Sequence, residues 1–214
     1  MKVQEIVTRV KAAIDELKSN ADFVVEDESN LTRIIIESIG HALQYVVEHA
    51  ALEKLNSADF VNPTTEEMSE FSIGDDLVGR MKLPARLLRI VEARLSSWPQ
   101  SPVPVSGNTQ VALMQQDQYA RGSWDRPVTI LTKGYLKMYC AMSTDDTLEL
   151  TFVEKPDTSG ITTEDMNYDV KVPTVLESSL VYQTAGLTMT AFREELATSL
   201  FTIAAQYLGK ISEE

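Results

Sequence analysis

Residues 79–105 read GRMKLPARLLRIVEARLSSWPQSPVPV, and how this stretch folds decides how the rest of the chain is organised. Leu83-Pro84 opens what reads as a single helical turn, Pro84 to Arg89, because proline suits the first helical position, where an N–H has no partner to lose. From Ile90 the period changes to alternation. Val91, Ala93 and Leu95 fall on one side, Glu92 and Arg94 on the other, as in a half-buried strand. Trp98-Pro99 ends the strand, and Pro99, Pro102 and Pro104 forbid a central strand beyond it. A turn, a strand, a tryptophan and a stiff exit make a module that has to dock on something.

Outward from this module the chain reads as mostly helical. Upstream, Val3, Ile6, Val7, Val10, Ile14 and Leu17 recur at three- and four-residue steps and predict helix one over 3–17, ending at Lys18-Ser19-Asn20. A short connection at 21–25 leads to a second helix from about Asn30 to Leu55, capped by Asp27 or Ser29. Its apolar stripe is wide and its length about 40 Å, so it is the expected central post. Gly40 in its middle would let a neighbour approach. Thr64 to Glu67 has capping-box spacing and predicts a short helix to about Phe71, followed by a loop at 72–76.

Downstream, 101–126 reads as a long polar connection with a short helix capped by Asn108 and glutamines at 110, 115, 116 and 118. Three strands follow, 128–132, 135–142 and 147–154, with joints short enough for hairpins at Lys133-Gly134 and at 143–146. With Ile90 to Trp98 they predict one antiparallel sheet of about four strands. After a polar loop at 156–168, Thr174 and Glu177 mark a capped start for helix three, and Phe192 to Leu208 is helix four, closed by Gly209 with Lys210 at the negative pole and the last acids, Glu213 and Glu214, frayed. The expected fold is α+β: a mainly helical bundle of an N-terminal helix, a long second helix and a C-terminal helix pair, with an inserted small antiparallel β-sheet. The divisions are an N-terminal helical part (1–78), a β-insert (79–156, containing the 99–126 connection) and a C-terminal helical part packing back on the body (157–214).

The chain has 214 residues, enough for one domain or one domain with an insertion. No run approaches the ~18 apolar residues of a membrane span. The opening MKVQEIVTRVKAAIDEL is too polar for a secretory signal, so synthesis in the cytoplasm is expected. One cysteine, Cys140, excludes a disulfide within the chain and reads as a small buried hydrophobe. Thirty-two acids against nineteen bases give a net charge of −13. That argues against tight binding to nucleic-acid phosphates and fits either a wall that DNA passes without adhering or plain solubility.

The residues offer little chemistry. His41 and His49 share one helix without ligand spacing, and Glu37 sits four residues before His41. Asp75-Asp76 and Asp145-Asp146 are acidic pairs of a kind that could hold Mg²⁺, but both fall in turns, where aspartate is a good turn former. Glu66-Glu67 and Glu194-Glu195 fall where acids complement helix starts. No nucleophile with a base, no phosphate loop and no dinucleotide fingerprint is present. No catalytic residue, metal ligand or cofactor is assigned. Trp98 and Trp124 lie near proline-bearing strand edges, and each either covers the sheet or anchors a neighbouring subunit.

Leu83-Pro84 to Leu88-Arg89, the Ile90-Val91 strand with Trp98, Arg121-Gly122 leading to Arg126-Pro127-Val128, and the helix pair from Val175 to Leu208 together give an order of signals that resembles the head–tail adaptor (connector ring) proteins of tailed bacteriophages, in particular the ring proteins of crAss-like phages of gut Bacteroidales. The resemblance implies a non-enzymatic ring of twelve copies matching a portal. Its partners would be the portal protein and the next ring or tail protein, with genomic double-stranded DNA passing without specific binding and no membrane involved. It places the protein in the virion neck, and in the host cytoplasm during assembly. Trp98, Trp124, Arg126 and Pro127 are the candidate subunit-interface residues. The alternative is a tail-completion or other neck or tail ring protein; a distant one is a small Mg²⁺-dependent enzyme built on the acidic pairs.

Overall fold

The computed structural model describes residues 1–17, 28–117 and 119–209. The expected end of helix one at 18–20, the connection at 21–25, the Asp27 cap, Gln118, Lys210 and the terminal Glu213 and Glu214 lie outside the described residues. The chain forms two compact units. One joins Met1–Asn56 to Pro156–Glu214; the other is the continuous stretch Ser57–Lys155. The second unit therefore takes in residues 57–78, which the sequence reading groups with the N-terminal helices.

The first unit is helical. α1 (Val3–Leu17) has the bounds its periodicity dictates, and buries Val3, Ile6, Val7, Val10 and Ile14. α2 runs Glu28–His49 and stops six residues before the expected end. The chain leaves helical angles at Ala51 (ψ 140°), then makes a separate 3-10 turn at Leu52–Lys54. At 22 residues α2 is about 33 Å long. α2 is not the central post. That place belongs to the helix Glu177–Thr190, which packs against α1, against α2 and against the last helix, Glu194–Leu208, and buries residues all round its axis. Its buried hydroxyls find partners: Thr184 Oγ1 donates to Leu180 O at 2.7 Å, Thr188 Oγ1 to Thr184 O at 2.9 Å, and Ser179 Oγ to Ala204 O at 3.0 Å. A buried hydroxyl so satisfied escapes most of its desolvation cost. Glu177 does not cap this helix. A 3-10 turn at Thr174–Leu176 precedes it, and the Glu177 carboxylate accepts from Arg9 Nη1 at 3.1 Å. The last helix ends as expected on Gly209 in the left-handed region (φ 82°).

The second unit overturns the expected bundle with one small sheet. It holds eight strands in two sheets. β1 (Phe60–Val61), β8 (Leu148–Glu154) and β4 (Leu87–Leu95) form a three-stranded sheet in the order β1-β8-β4. β2 (Phe71–Ile73), β3 (Val78–Lys82), β7 (Tyr135–Tyr139), β6 (Val128–Thr132) and β5 (Val105–Ser106) form a five-stranded sheet in the order β2-β3-β7-β6-β5. Two short helices, α3 (Thr65–Met68) and α4 (Gln110–Met114), lie between strands. With α1 and α2, the central helix (now α5) and the last one (α6), the described residues hold six helices. Both sheets feed one core, with Met81, Leu136 and Met138 from one and Ala93, Leu95, Leu148, Leu150 and Phe152 from the other.

The expected helical turn at Pro84–Arg89 is a strand beginning. Pro84 O accepts from Leu87 N at 3.0 Å to close a turn, and β4 is extended from Leu87. The helical look of LLRIV comes from two irregularities in the ladder with β8, between Leu87 and Arg89 and between Ile90 and Glu92. Each leaves an extra residue on β4, so apolar residues fall at steps of one and three instead of two. The β6–β7 hairpin forms as expected over Lys133-Gly134, with Gly134 at φ 75°. The β7–β8 hairpin does not form. Cys140 adopts a positive φ of 74°, the chain turns out of the five-stranded sheet, and β8 pairs with β4 and β1.

Candidate functional site

Of the four expected interface residues, the fold buries two and leaves two at the surface. Trp98 is 3% exposed; its indole Nε1 donates to Cys140 O at 3.0 Å and its ring sits in the core shared by the two sheets. Pro127 is buried just before β6. Trp124 and Arg126 stay at the surface, on a turn closed by Arg126 N donating to Ser123 O at 2.9 Å. The Ser123 hydroxyl donates to Asp125 and holds that carboxyl below the usual carboxylate range. Trp124, 52% exposed, projects from this turn.

The described residues of the connection before it bond largely to one another. Thr109, not Asn108, caps α4, accepting from Ala112 N at 3.3 Å. Gln115 is the buried clasp: its Nε2 donates to Val111 O at 3.1 Å, its Oε1 accepts from Gly122 N at 2.9 Å, and its carbonyl accepts from Arg121 Nε at 3.1 Å. Gly122 has to be glycine here, since a Cβ would lie 2.7 Å from Arg126 O. Its own carbonyl accepts from the Cys140 thiol at 2.5 Å. Burial pushes that thiol above its usual range, so Cys140 stays protonated and serves packing. The sequence shows Gln115 only as one of several glutamines. Its helical position four residues after Val111, with glycine seven residues on, is the one signal that singles it out.

Besides exposed polar residues such as Gln110, Gln116 and Asp117, this segment presents apolar side chains to solvent. Six of the fourteen exposed large hydrophobic residues among the described residues fall between 103 and 124: Val103, Val111, Leu113, Met114, Tyr119 and Trp124. Val103 and Tyr119 are 84% and 90% exposed. Isolated exposed apolar residues need no explanation; their concentration within one segment makes it the candidate contact surface.

Other groups that could carry chemistry are tied up in structure. Asp76 accepts from Arg80 Nη2 at 2.5 Å, which holds its carboxyl below the usual range. Asp146 accepts from Ser97 Oγ at 2.6 Å and Met142 N at 2.8 Å. His49 stacks on Tyr45, and Glu37 pairs with Arg33, not with His41. Among the described residues, no three His, Cys, Asp or Glu side chains gather as a metal site. The strongest electrostatic feature is a node that the sequence does not reveal. Arg86 donates to both oxygens of Glu67 at 2.9 Å, to Glu154 at 3.2 Å and to Asn62 O at 3.2 Å, over the face of Phe152. Glu67 also completes the capping box of α3, and the Arg86 guanidinium lowers its pKa to about 2. This node ties α3, the turn before β4 and β8 together. Compared with protein-family models and with curated proteins, the chain matches none.

Proposed function

We propose that this chain is a structural subunit of a tailed-phage neck, an adaptor that assembles with sister copies into a ring between portal and tail, most simply twelve to match the portal. The observation that carries the reading is the set of exposed apolar side chains between Val103 and Trp124, on a segment bonded internally through Gln115, Arg121 and Gly122. Burying exposed apolar side chains against a neighbour favours assembly over a free monomer. The resemblance of the residues around Leu83-Pro84 and Arg126-Pro127 to connector-ring proteins supports the neck as the place of assembly. The net charge of −13 suits a channel wall along which DNA slides. Mass photometry and electron microscopy of the purified chain, alone and with its portal, test the proposal. The expected result is a closed ring, reduced to monomer in a Leu113→Ser, Tyr119→Ser, Trp124→Ser variant that keeps its circular dichroism spectrum. A chain that stays monomeric with and without portal overturns it.

A further inference from the structure

The three-stranded sheet has an edge that its own chain leaves open. β8 spans Leu148–Glu154, but β1 pairs only with Phe152 and Val153. Pro63, two residues past the end of β1, has no N–H with which to carry the ladder on. On the opposite side, Ser96 N donates to Thr147 O at 2.9 Å, and Arg94 and Glu92 lie opposite Glu149 and Thr151. Odd-numbered residues at this end of β8 therefore turn their backbone groups toward β4. Leu148 and Leu150 turn theirs outward, past the end of β1. A cleft of about 380 Å³ runs along this edge, with Pro63, Met68, Leu148 and Leu150 as apolar lining and Glu92 and Glu149 among its polar residues. Arg94 lies 2.6 Å from Glu149 and 3.7 Å from Glu92, so two carboxylates share one guanidinium and the rim keeps an unmatched negative charge.

We propose that this edge receives an extended strand of another protein, antiparallel to β8 in continuation of β1, with an apolar side chain in the cleft and a lysine or arginine at the Glu92–Glu149 rim. Backbone pairing supplies affinity in such strand addition, and the side-chain pockets supply selectivity. Charge complementarity picks the occupant. The short edge strands of this chain, Phe71-Ser72-Ile73 and Val105-Ser106, carry no basic residue. The outer edge of β4, which does carry arginine, is covered by its own chain, with Ser101 Oγ bonding both backbone groups of Ala93 and Trp98 N donating to Leu95 O. A different, basic polypeptide therefore fits better than a second copy. The cleft lining shares no residue with the 103–124 segment, and the proposal does not depend on ring assembly.

Amide hydrogen exchange of the full chain, read by NMR with and without the probe acetyl-TVKVTV-amide at millimolar concentration, tests it. Alone, the Leu148 and Leu150 amides should exchange about tenfold or more faster than those of Glu149 and Thr151, and the probe should slow them by a similar factor. The charge-reversed acetyl-TVEVTV-amide should bind up to about fivefold more weakly, and Glu92→Lys should erase that preference. Several results overturn the proposal: Leu148 and Leu150 amides already protected in the dilute free chain, no slowing by either peptide, or equal slowing by both. Protection that rises with the concentration of the chain alone also overturns it, and gives the edge to a second copy.

Discussion

Arg86 and Trp98 hold the second unit together in different ways, and each can be tested alone. Arg86→Met leaves Glu67 and Glu154 without their cation, and charged hydrogen bonds of this kind contribute about 2 kcal/mol. Because the folded pKa of Glu67 is about 2 against an ordinary 4.5, its contribution is complete above about pH 4.5 and is lost as pH falls through about 2. Urea titrations between pH 6 and pH 2 should show the native chain losing stability across that window and the Arg86→Met variant losing less. Trp98→Ala should cost about 3–5 kcal/mol by the same measurement, the range for deleting a buried large aromatic. At this scale the sequence is half legible. Trp98 stands out beside its prolines, but whether it faces inward depends on Cys140, 42 residues away. The partners of Arg86 are 19 and 68 residues away, and no local pattern announces them.

Elements with a clean period were legible and elements with an interrupted one were not. α1, β6 and β8 lie where their periods put them, give or take a residue. β4 lost its first residues to an apparent helical turn because its two irregularities break the alternation. β1, β2 and β5 went unread because two or three residues carry no period at all. α5 was legible as a helix but not as the central one, since a helix buried all round shows no amphipathic stripe. Its crossing with α6 depends on Gly186, where an added Cβ would lie 2.5 Å from the Phe201 ring. Gly186→Ala should destabilise the chain by about 1–3 kcal/mol in thermal or urea unfolding, the usual cost of overpacking. Combined with Phe201→Ala it should cost less than the sum of the two single changes, because the clash is gone.

For the whole molecule, the sequence conveyed an insertion between helical parts but not its size. Residues 57–78 read as a short capped helix and loop; β1 joins the β unit by pairing with β8 far downstream, and β2 by pairing with β3, which in turn pairs with β7. Since Ser57–Lys155 is continuous and owns its core, a fragment of those residues should unfold cooperatively in urea; a broad, non-cooperative transition would show that it needs the helices. The helical unit has the opposite property, being built from two distant pieces of sequence. On the ribosome, α1 and α2 emerge early, while α5, the helix that covers them, follows 128 residues after His49, about 6–25 s later at ordinary elongation rates. Nascent chains should therefore pass through a stage with a finished β module and two greasy, uncovered helices. The dependence on chaperones, and the damage from a premature stop codon anywhere before residue 177, should fall on that interval.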